Sequence, residues 1–204
     1  MKFFLLIISF IIFLKADTDS VNTSNFNYGG VIPIEFSYIK TKDDGTLYHI
    51  GVGIGGFLEY DSFEIQISTM FIPYTDSDSL FKWNGKKGKY GDTFKLEGAF
   101  LYKLNNNWQI GIDYSRYVFA TNEGKISDGG STHGYMSSYG LKFLYDPIGN
   151  IVEQRTPLLM LFSLDYLDAQ NIIYEERKRY RTYHIKKRYD LSGSKITIGL
   201  LKKF

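Results

Sequence analysis

The sequence contains no cysteine. This absence excludes disulfides, thiolate metal sites, a cysteine nucleophile and a lipidated amino-terminal cysteine. Neither sign of charge is in excess, because 24 lysines and arginines stand against 22 aspartates and glutamates. The composition therefore gives the chain as a whole no strong attraction for a polyanionic partner.

Long hydrophobic runs are absent after the first sixteen residues. Residues 3–14 are apolar, Lys2 precedes them, and Lys15-Ala16 leads into a polar stretch. This pattern predicts a secretory signal peptide over residues 1–16, because the run is too short to cross ~30 Å of hydrocarbon as a helix. We expect the mature chain to leave the cytosol, which excludes nucleic acid as a partner. Any insertion into a membrane must then use strands.

Glycine and aromatic residues are abundant, with 20 glycines, 17 tyrosines and 16 phenylalanines. Such a composition favours strands. Residues 17–30 are polar and aperiodic, and we interpret them as a leader. From Val31 to the end, apolar and polar residues alternate with a period of two, in eight segments separated by turn residues. This alternation predicts eight antiparallel strands within residues 31–204.

The connections between the predicted strands fall into two groups. Those at 61–62, 105–107 and 146–150 are short, whereas those at 75–91, 121–134 and 167–189 are long. Strand order places each group at its own end of a barrel. Short periplasmic turns, longer external loops and an even strand count are typical of outer-membrane barrels. The sequence therefore predicts an all-β fold, an eight-stranded antiparallel up-and-down transmembrane β-barrel.

The two faces of these strands differ in chemistry. One face carries charges: Glu35, Glu64, Lys95, Glu97, Asp113, Lys142, Asp165 and Lys195. The other is apolar and often ends in aromatic residues that suit membrane interfaces: Tyr38, Tyr60, Tyr102, Trp108, Tyr145 and Tyr166. Alternation alone does not say which face points outward, so a soluble, secreted, lipocalin-like barrel remains an alternative.

A charged face inside an eight-stranded barrel leaves little free space, because side chains fill such an interior. Buried charges must then pair, and we predict an internal network that includes an ion pair between Asp113 and Lys142. This network disfavours transport of anything larger than a small ion. A narrow pore remains an alternative function.

The last strand, Lys195–Phe204, carries a more specific pattern. It alternates strictly and ends on an aromatic residue, with a glycine five residues before it and a polar residue two before that: Thr197, Gly199 and Phe204. This strand resembles the terminal strand of bacterial outer-membrane β-barrels, whose last residue is read by the barrel-assembly machinery. Lys202 departs from the family's usual hydrophobic residue.

Residues 31–204 as a whole resemble small OmpA/OmpX-type barrels. The resemblance implies an outer-membrane location with loops exposed at the cell surface. It also implies outer-membrane lipid and the assembly machinery as partners, with the three residues above as the assembly signal.

Enzymatic chemistry has little support in the sequence. His49, His133 and His184 are expected near the external rim, where some eight-stranded barrels modify lipid A. No nucleophile motif accompanies them. We therefore predict no catalytic residue, metal site or cofactor, and we keep a lipid A-modifying rim enzyme as an alternative.

The most distinctive segment is residues 177–189, in which seven of thirteen residues are arginine or lysine, interleaved with tyrosines. In the last external loop it would meet anionic partners such as acidic glycans or host extracellular matrix. The candidate ligand-binding residues are Arg177, Lys178, Arg179, Tyr180, Arg181, Tyr183, Lys186, Lys187 and Arg188. A solvated hairpin tip is the alternative. The composition also resembles that of spirochaetal small outer-membrane proteins, which implies an adhesive, non-enzymatic role.

The terminal pattern generates a first prediction. Deleting Phe204 is expected to impair barrel assembly while secretion continues, because the aromatic residue is part of the proposed assembly signal. Heat-modifiable electrophoretic mobility of the membrane fraction measures folded barrel. Accumulation of the truncated chain as folded barrel at the wild-type level would contradict the assembly-signal hypothesis.

Overall fold

The computed structural model describes residues 26–43, 45–76, 93–119, 130–147, 157–170, 172–177 and 184–204. Within them lie eleven strands in chain order: β1 Phe26–Thr41, β2 Thr46–Tyr60, β3 Phe63–Asp76, β4 Thr93–Lys103, β5 Trp108–Phe119, β6 Gly130–His133, β7 Tyr135–Tyr145, β8 Leu158–Asp168, β9 Ile172–Arg177, β10 His184–Tyr189 and β11 Gly193–Lys203. None of the described residues forms a helix long and apolar enough to cross a membrane.

Eight of these strands form one closed barrel in the order β1-β11-β8-β7-β5-β4-β3-β2. All neighbouring pairs are antiparallel, and β1 closes the barrel by pairing with β11 from Val31 opposite Lys203 to Thr41 opposite Gly193. The predicted eight-stranded, all-β, up-and-down architecture is therefore confirmed. Each strand predicted from the alternation corresponds to one barrel strand.

The short connections gather at one end of the barrel. Asp61 and Ser62 join β2 to β3, and Asp61 adopts a φ of 52°, a conformation that aspartate tolerates in tight turns. Between β4 and β5, the side chain of Asn105 accepts hydrogen bonds from the backbone N–H groups of Asn107 and Trp108, both at 2.9 Å. Both turns were predicted. The third predicted turn, at 146–150, is described only as far as residue 147.

The barrel begins earlier than the sequence suggested. Residues 26–30 were assigned to a polar leader, but they belong to β1 and pair with residues 56–60 of β2. Asn27 and the two adjacent glycines, Gly29 and Gly30, interrupt the alternation there, which concealed the strand. The predicted signal peptide lies outside the described residues and stays a prediction.

A second sheet lies outside the barrel and was not predicted. Strands β6, β9 and β10 form three antiparallel strands in the order β10-β9-β6. They fall within segments 121–134 and 167–189, which the sequence analysis treated as loops. The assignment as loops was wrong for these residues, because the high charge of the segment masked β-favouring residues such as Ile172, Ile173 and Tyr189.

Burial is inverted relative to a water-soluble barrel. Large apolar side chains point outward along every barrel strand, as with Ile112, which is 61% exposed, whereas Lys195 inside the barrel is 0% exposed. All eight charged residues predicted on the polar face are buried: Glu35, Glu64, Lys95, Glu97, Asp113, Lys142, Asp165 and Lys195. The polar face is therefore the lumen, and the apolar face surrounds it.

The glycines of β2 accommodate this filled lumen. A Cβ at Gly51 would lie 2.6 Å from Sδ of Met70, a side chain that reaches over the strand from β3. The whole glycine run lies within one continuous strand, β2.

Candidate functional site

The lumen is arranged in three layers along the barrel axis. A lower apolar cluster lies toward the short turns: Val31, Ala99, Leu101, Leu144, Leu159, Leu161 and Leu201. An upper apolar cluster lies toward the long connections: Ile39, Leu47, Met70, Ile72, Tyr117, Met136, Leu167, Ala169, Ile172 and Leu191. The ion pairs around Glu97 and Lys195 lie between them, whereas Glu64 and Lys203 pair beside the lower cluster, with Glu64 opposite Leu101 and Lys203 opposite Val31. Apolar clusters therefore lie on both sides of the ion pairs around Glu97 and Lys195.

Glu97 of β4 is the centre of the charged layer. Its two carboxylate oxygens accept hydrogen bonds from different lysines, Oε2 from Lys95 and Oε1 from Lys142. Lys95 also donates to Glu35 of β1 across a distance of 2.6 Å. These four side chains come from β1, β4 and β7, so the chain of ion pairs joins strands that are not neighbours in the sheet.

A second ion pair lies beside the first. Nζ of Lys195 is 2.8 Å from Oδ2 of Asp165, its cross-strand partner on β8. The same ammonium donates to the hydroxyl of Tyr117 at 2.9 Å and to Oγ of Ser138 at 3.2 Å. All three N–H donors of this buried lysine therefore have acceptors, which meets the requirement for burying a charge.

The predicted ion pair between Asp113 and Lys142 is wrong. Both side chains face the lumen, but Asp113 lies opposite Gly140, and Lys142 lies opposite Gly111. The ladder is offset by two residues from the predicted one. A long connection joins β5 to β7, so no tight turn fixes their register, and Lys142 pairs with Glu97 on β4 instead.

Asp113 differs from the other buried carboxylates of the described lumen because it forms no ion pair with a lysine. No hydrogen-bond partner contacts its Oδ1 atom among the described residues, and the same holds for Oδ1 of Asp165. Five carboxylates but only four lysines are buried in the described lumen: Glu35, Glu64, Glu97, Asp113 and Asp165 against Lys95, Lys142, Lys195 and Lys203. Asp113 is thus the acid without a lysine of its own.

At the end of the barrel opposite the short turns, the β1–β2 turn contacts the residues that precede β11. Asp43 N–H donates to the carbonyl of Asp190 at 3.1 Å, and Asp190 N–H donates back to Oδ2 of Asp43 at 2.7 Å. Lys42 N–H donates to the carbonyl of Ser192 at 3.2 Å. These bonds fix the end of β10 relative to the barrel.

Lys42 and Asp190 also form an exposed ion pair, with Nζ and Oδ2 3.2 Å apart. The hydrogen bond that the Lys42 ammonium donates to Asp190 raises the pKa of Lys42. Hydrogen bonds from Ser192, and then the nearby ammonium, lower the pKa of Asp190. The stabilisation that the ionised Asp190 carboxylate gives to the contact with the β1–β2 turn is therefore present at neutral pH. It is lost as pH falls through the lowered pKa of Asp190.

The basic segment lies at this same end. Arg177 ends β9, while Lys186, Lys187 and Arg188 belong to β10, with Arg177 opposite His184 in the ladder. Arg188 is exposed. The other candidate residues lie outside the described part of the chain: Lys178, Arg179, Tyr180, Arg181 and Tyr183. Two strands of the outer sheet thus hold the two ends of the segment.

The three histidines lie on three different strands. His49 lies toward the end of the barrel that carries the long connections, but it is only 3% exposed and packs inside the lumen with its ring centroid 5.9 Å from that of Tyr117. His133 and His184 begin or end strands of the outer sheet. Among the described residues, no three histidine, aspartate or glutamate side chains are grouped as a metal site.

The three residues of the proposed assembly signal all lie at the seam between β1 and β11. Thr197 Oγ1 hydrogen-bonds Oγ of Ser37 at 2.8 Å across the lumen side of the seam. Gly199 lies against the backbone of β1, where a Cβ would overlap the carbonyl oxygen of Ile34. Phe204 exchanges two backbone hydrogen bonds with Gly30, at 2.8 and 3.1 Å.

Sequence reasoning missed the two apolar layers, although a signal was present. Leu101 shares strand parity with Lys95 and Glu97, and Leu161 shares it with Asp165. Apolar residues at the ends of an otherwise charged face mark the layers that close the lumen.

No family model matches the chain, and no curated protein matches it. Among solved structures, the chain is similar to the crystal structure of the outer membrane protein OprG from Pseudomonas aeruginosa. The two share 15% sequence identity with a TM-score of 0.39, over 86% of this chain and 96% of that one.

The lumen network generates a second prediction. Glu97→Gln is expected to lower the free energy of unfolding by about 3–5 kcal/mol, because it leaves the buried Lys142 without its carboxylate partner and Lys95 with Glu35 alone. Asp113→Asn is expected to cost no stability, because it removes the carboxylate without a lysine of its own. Urea titration of the barrel refolded in lipid vesicles measures both variants. A loss in Asp113→Asn as large as that in Glu97→Gln would contradict the assigned pairing.

Proposed function

We propose that this chain is an integral outer-membrane barrel, without enzymatic activity, that presents its basic external segment to polyanions such as acidic glycans or host extracellular matrix. The observation that carries the membrane part is the inverted burial, with charges inside and a continuous apolar surface outside. The observation that carries the binding part is the position of the basic segment on the outer sheet.

The outer surface has the chemistry expected of lipid contact. Strands of 11 to 16 residues exceed the ~9–11 residues that a tilted strand needs to cross a bilayer. Aromatic pairs lie near the short-turn end and the opposite end of this surface, such as Trp108 with Tyr145 and Tyr38 with Tyr48. In water, an apolar surface of this extent would aggregate.

The orientation follows from the connections. Short turns join the strands at one end, and the long connections with the outer sheet lie at the other. In outer-membrane barrels the longer loops are external. This ordering, together with the predicted signal peptide, supports presentation of residues 177–189 at the cell surface.

The contacts that connect the outer sheet to the barrel support a binding role for the basic segment. The bonds among Lys42, Asp43 and Asp190 hold the start of the last barrel strand, and the β9–β10 ladder holds the basic residues. Backbone pairing of Arg177, Lys186, Lys187 and Arg188 in this ladder reduces the conformational freedom that these residues lose when they bind a polyanion. The filled lumen counts against the alternative of a narrow pore, because apolar clusters lie on both sides of the ion pairs around Glu97 and Lys195.

Membrane insertion generates a third prediction. Ile112 and Leu104 both point outward, but Ile112 lies near the middle of β5, and Leu104 lies beside a short turn. Ile112→Lys is expected to destabilise the barrel in lipid by about 2–4 kcal/mol, and Leu104→Lys by about 0–1 kcal/mol, because the cost of a lysine depends on depth.

Urea titration in vesicles measures both values, with Ile112→Leu as the conservative control. A soluble barrel offers no hydrocarbon midplane, so equal costs at the two positions would contradict membrane insertion.

The basic segment generates a fourth prediction. Replacing Arg177, Lys178, Arg179 and Arg181 by serine is expected to weaken binding to immobilised heparin while the barrel stays folded. The difference from wild type should shrink as salt is raised, because the Debye length is about 8 Å at physiological ionic strength.

A matched control replaces four lysines of the β3–β4 connection, which the strand order places at the same end: Lys82, Lys86, Lys87 and Lys89. It removes the same charge and is expected to retain most of the binding. Equal losses in the two variants would assign binding to net charge. Unchanged binding in the first variant at low salt would overturn the adhesive role.

A further inference from the structure

An arginine lies on the apolar outer face of the barrel. Arg116 of β5 is exposed and shares strand parity with Ile112 and Tyr114, which point outward. Trp108, at the short-turn end of the same strand, is eight residues away, which is about 21 Å along the barrel axis at ~3.4 Å per residue and a tilt of ~40°. The apolar band of an outer-membrane barrel is ~25 Å tall. Arg116 therefore lies close to the boundary of this band, at the level of lipid headgroups.

Two contacts hold the guanidinium of Arg116 in place. Its Cζ atom lies over the Tyr135 ring, 4.6 Å from the ring centroid. Its Nη1 atom donates to Oγ of Ser137, the cross-strand partner of Arg116, at 2.9 Å. A guanidinium has five N–H donors, and no carboxylate among the described residues forms an ion pair with this one. Most of its hydrogen-bonding capacity is therefore available to a ligand.

Ser137 adds a further donor beside this guanidinium. Its Oγ atom also accepts a hydrogen bond from the Tyr114 hydroxyl, at 3.3 Å. Since this oxygen accepts both bonds, the Ser137 hydroxyl proton can be donated to a ligand next to Arg116. Both hydrogen bonds are exposed, so a ligand on the outer face can reach these groups. Such a pair of donors suits the oxygens of a phosphate.

Asp168 of β8 lies on the other side of Ser137. The β7–β8 ladder places it opposite Ser137, and it is exposed on the same outward face. Because adjacent strands are ~4.8 Å apart, the backbones of Arg116 and Asp168 are about 10 Å apart. Asp168 forms no ion pair with any described cation. The surface thus presents a cation and an anion to the same ligand.

Aromatic and aliphatic side chains continue this surface toward the middle of the barrel. The row next to the two charges is formed by tyrosines that lie opposite one another on β5, β7 and β8: Tyr114, Tyr139 and Tyr166. The following row is aliphatic and exposed: Ile112, Leu141 and Leu164. Aromatic residues at headgroup level beside an aliphatic surface are typical of lipid contact. A lipid whose headgroup meets the charges would place its acyl chains on the aliphatic row.

We propose that this surface binds a zwitterionic phospholipid, whose phosphate bonds Arg116 and Ser137 and whose ammonium pairs with Asp168. Such a headgroup complements both charges, whereas an anionic headgroup is attracted by Arg116 and repelled by Asp168. The inference rests on the membrane insertion proposed above, because the acyl chains need the lipid-facing surface. It depends on neither the basic segment nor its polyanion.

Native mass spectrometry of the full refolded barrel tests this site. The barrel is transferred from detergent into an equimolar mixture of phosphatidylethanolamine and phosphatidylglycerol with identical acyl chains, and the two bound lipids are compared. Arg116→Gln removes the phosphate partner, and Asp168→Asn removes the ammonium partner. Lys40→Gln is the matched control, because Lys40 is also an exposed cation at this end but lies opposite Thr46 and Ser194, with no carboxylate across either ladder.

We expect wild type and Lys40→Gln to retain phosphatidylethanolamine about two- to fivefold over phosphatidylglycerol, the size of effect of one exposed ion pair. Asp168→Asn is expected to abolish this preference, and Arg116→Gln to weaken retention of both lipids. Equal retention of the two lipids by wild type, or a preference that survives in Asp168→Asn, would overturn the headgroup assignment. Weakening in Lys40→Gln as large as in Arg116→Gln would assign retention to any rim cation and overturn the site.

Amide NMR of the wild type locates the ligand without a variant. Dihexanoyl-phosphatidylethanolamine is expected to shift the signal of Ser137 and leave that of Ser194, opposite Lys40, unchanged. Glycerophosphoethanolamine has the same headgroup without acyl chains and is expected to leave both signals unchanged. Equal shifts by the two compounds would assign the site to a soluble phosphate compound and overturn the lipid.

Insertion into vesicles, measured by heat-modifiable mobility, separates this inference from the function on which it rests. A wild-type barrel that inserts but shows no preference between the two lipids overturns the lipid site alone. A barrel that inserts into vesicles of neither lipid overturns the membrane function itself.

Discussion

The rest of the structure depends on one constraint, which is that charges buried in a closed barrel must find partners there. An isolated ion in a low-dielectric interior is prohibitively costly, and mutual attraction offsets this only when the geometry is good and other hydrogen bonds are satisfied. Glu97 meets the constraint for two lysines at once, and Lys195 meets it with a carboxylate and two hydroxyls. The polar face can therefore turn inward, which leaves the apolar face to surround the barrel. Inverted burial is the consequence of satisfied charges inside.

The protein thus contains two populations of basic residues with different tasks. The lumen lysines are desolvated and paired with carboxylates, so salt in the medium screens them little. The described residues of the basic segment, Arg177 and His184–Tyr189, belong to the outer sheet, where an exposed charge such as Arg188 responds to ionic strength. Composition alone combines both populations into a net charge near zero. The net charge of the whole chain therefore does not describe the local charge in the lumen or on the outer sheet.

Much of the fold could be predicted from the sequence, because a period of two over eight segments fixes strand identity and which residues share a face. The parity of Lys95, Glu97 and Lys142 was sufficient to place them on one face, and their burial in the structure shows that this face is the lumen. Their partners could not be predicted in the same way. Lys142 reaches Glu97 two strands away, and nothing in local alternation encodes a contact across the lumen. Register was equally hidden where a long connection joins β5 to β7. The outer sheet was missed because its strands are short and two of them, β9 and β10, are highly charged.

The seam between the first and last strands has a further consequence. A barrel closed by one ladder of backbone bonds would be weakest where its two ends meet. Here, side chains of the seam strands also reach across the interior, Glu35 of β1 to Lys95 of β4 and Lys203 of β11 to Glu64 of β3. Unzipping β1 from β11 would pull these ions away from their partners before water could reach them. The cross-lumen ion pairs therefore oppose separation of β1 from β11, in addition to the backbone hydrogen bonds of the seam.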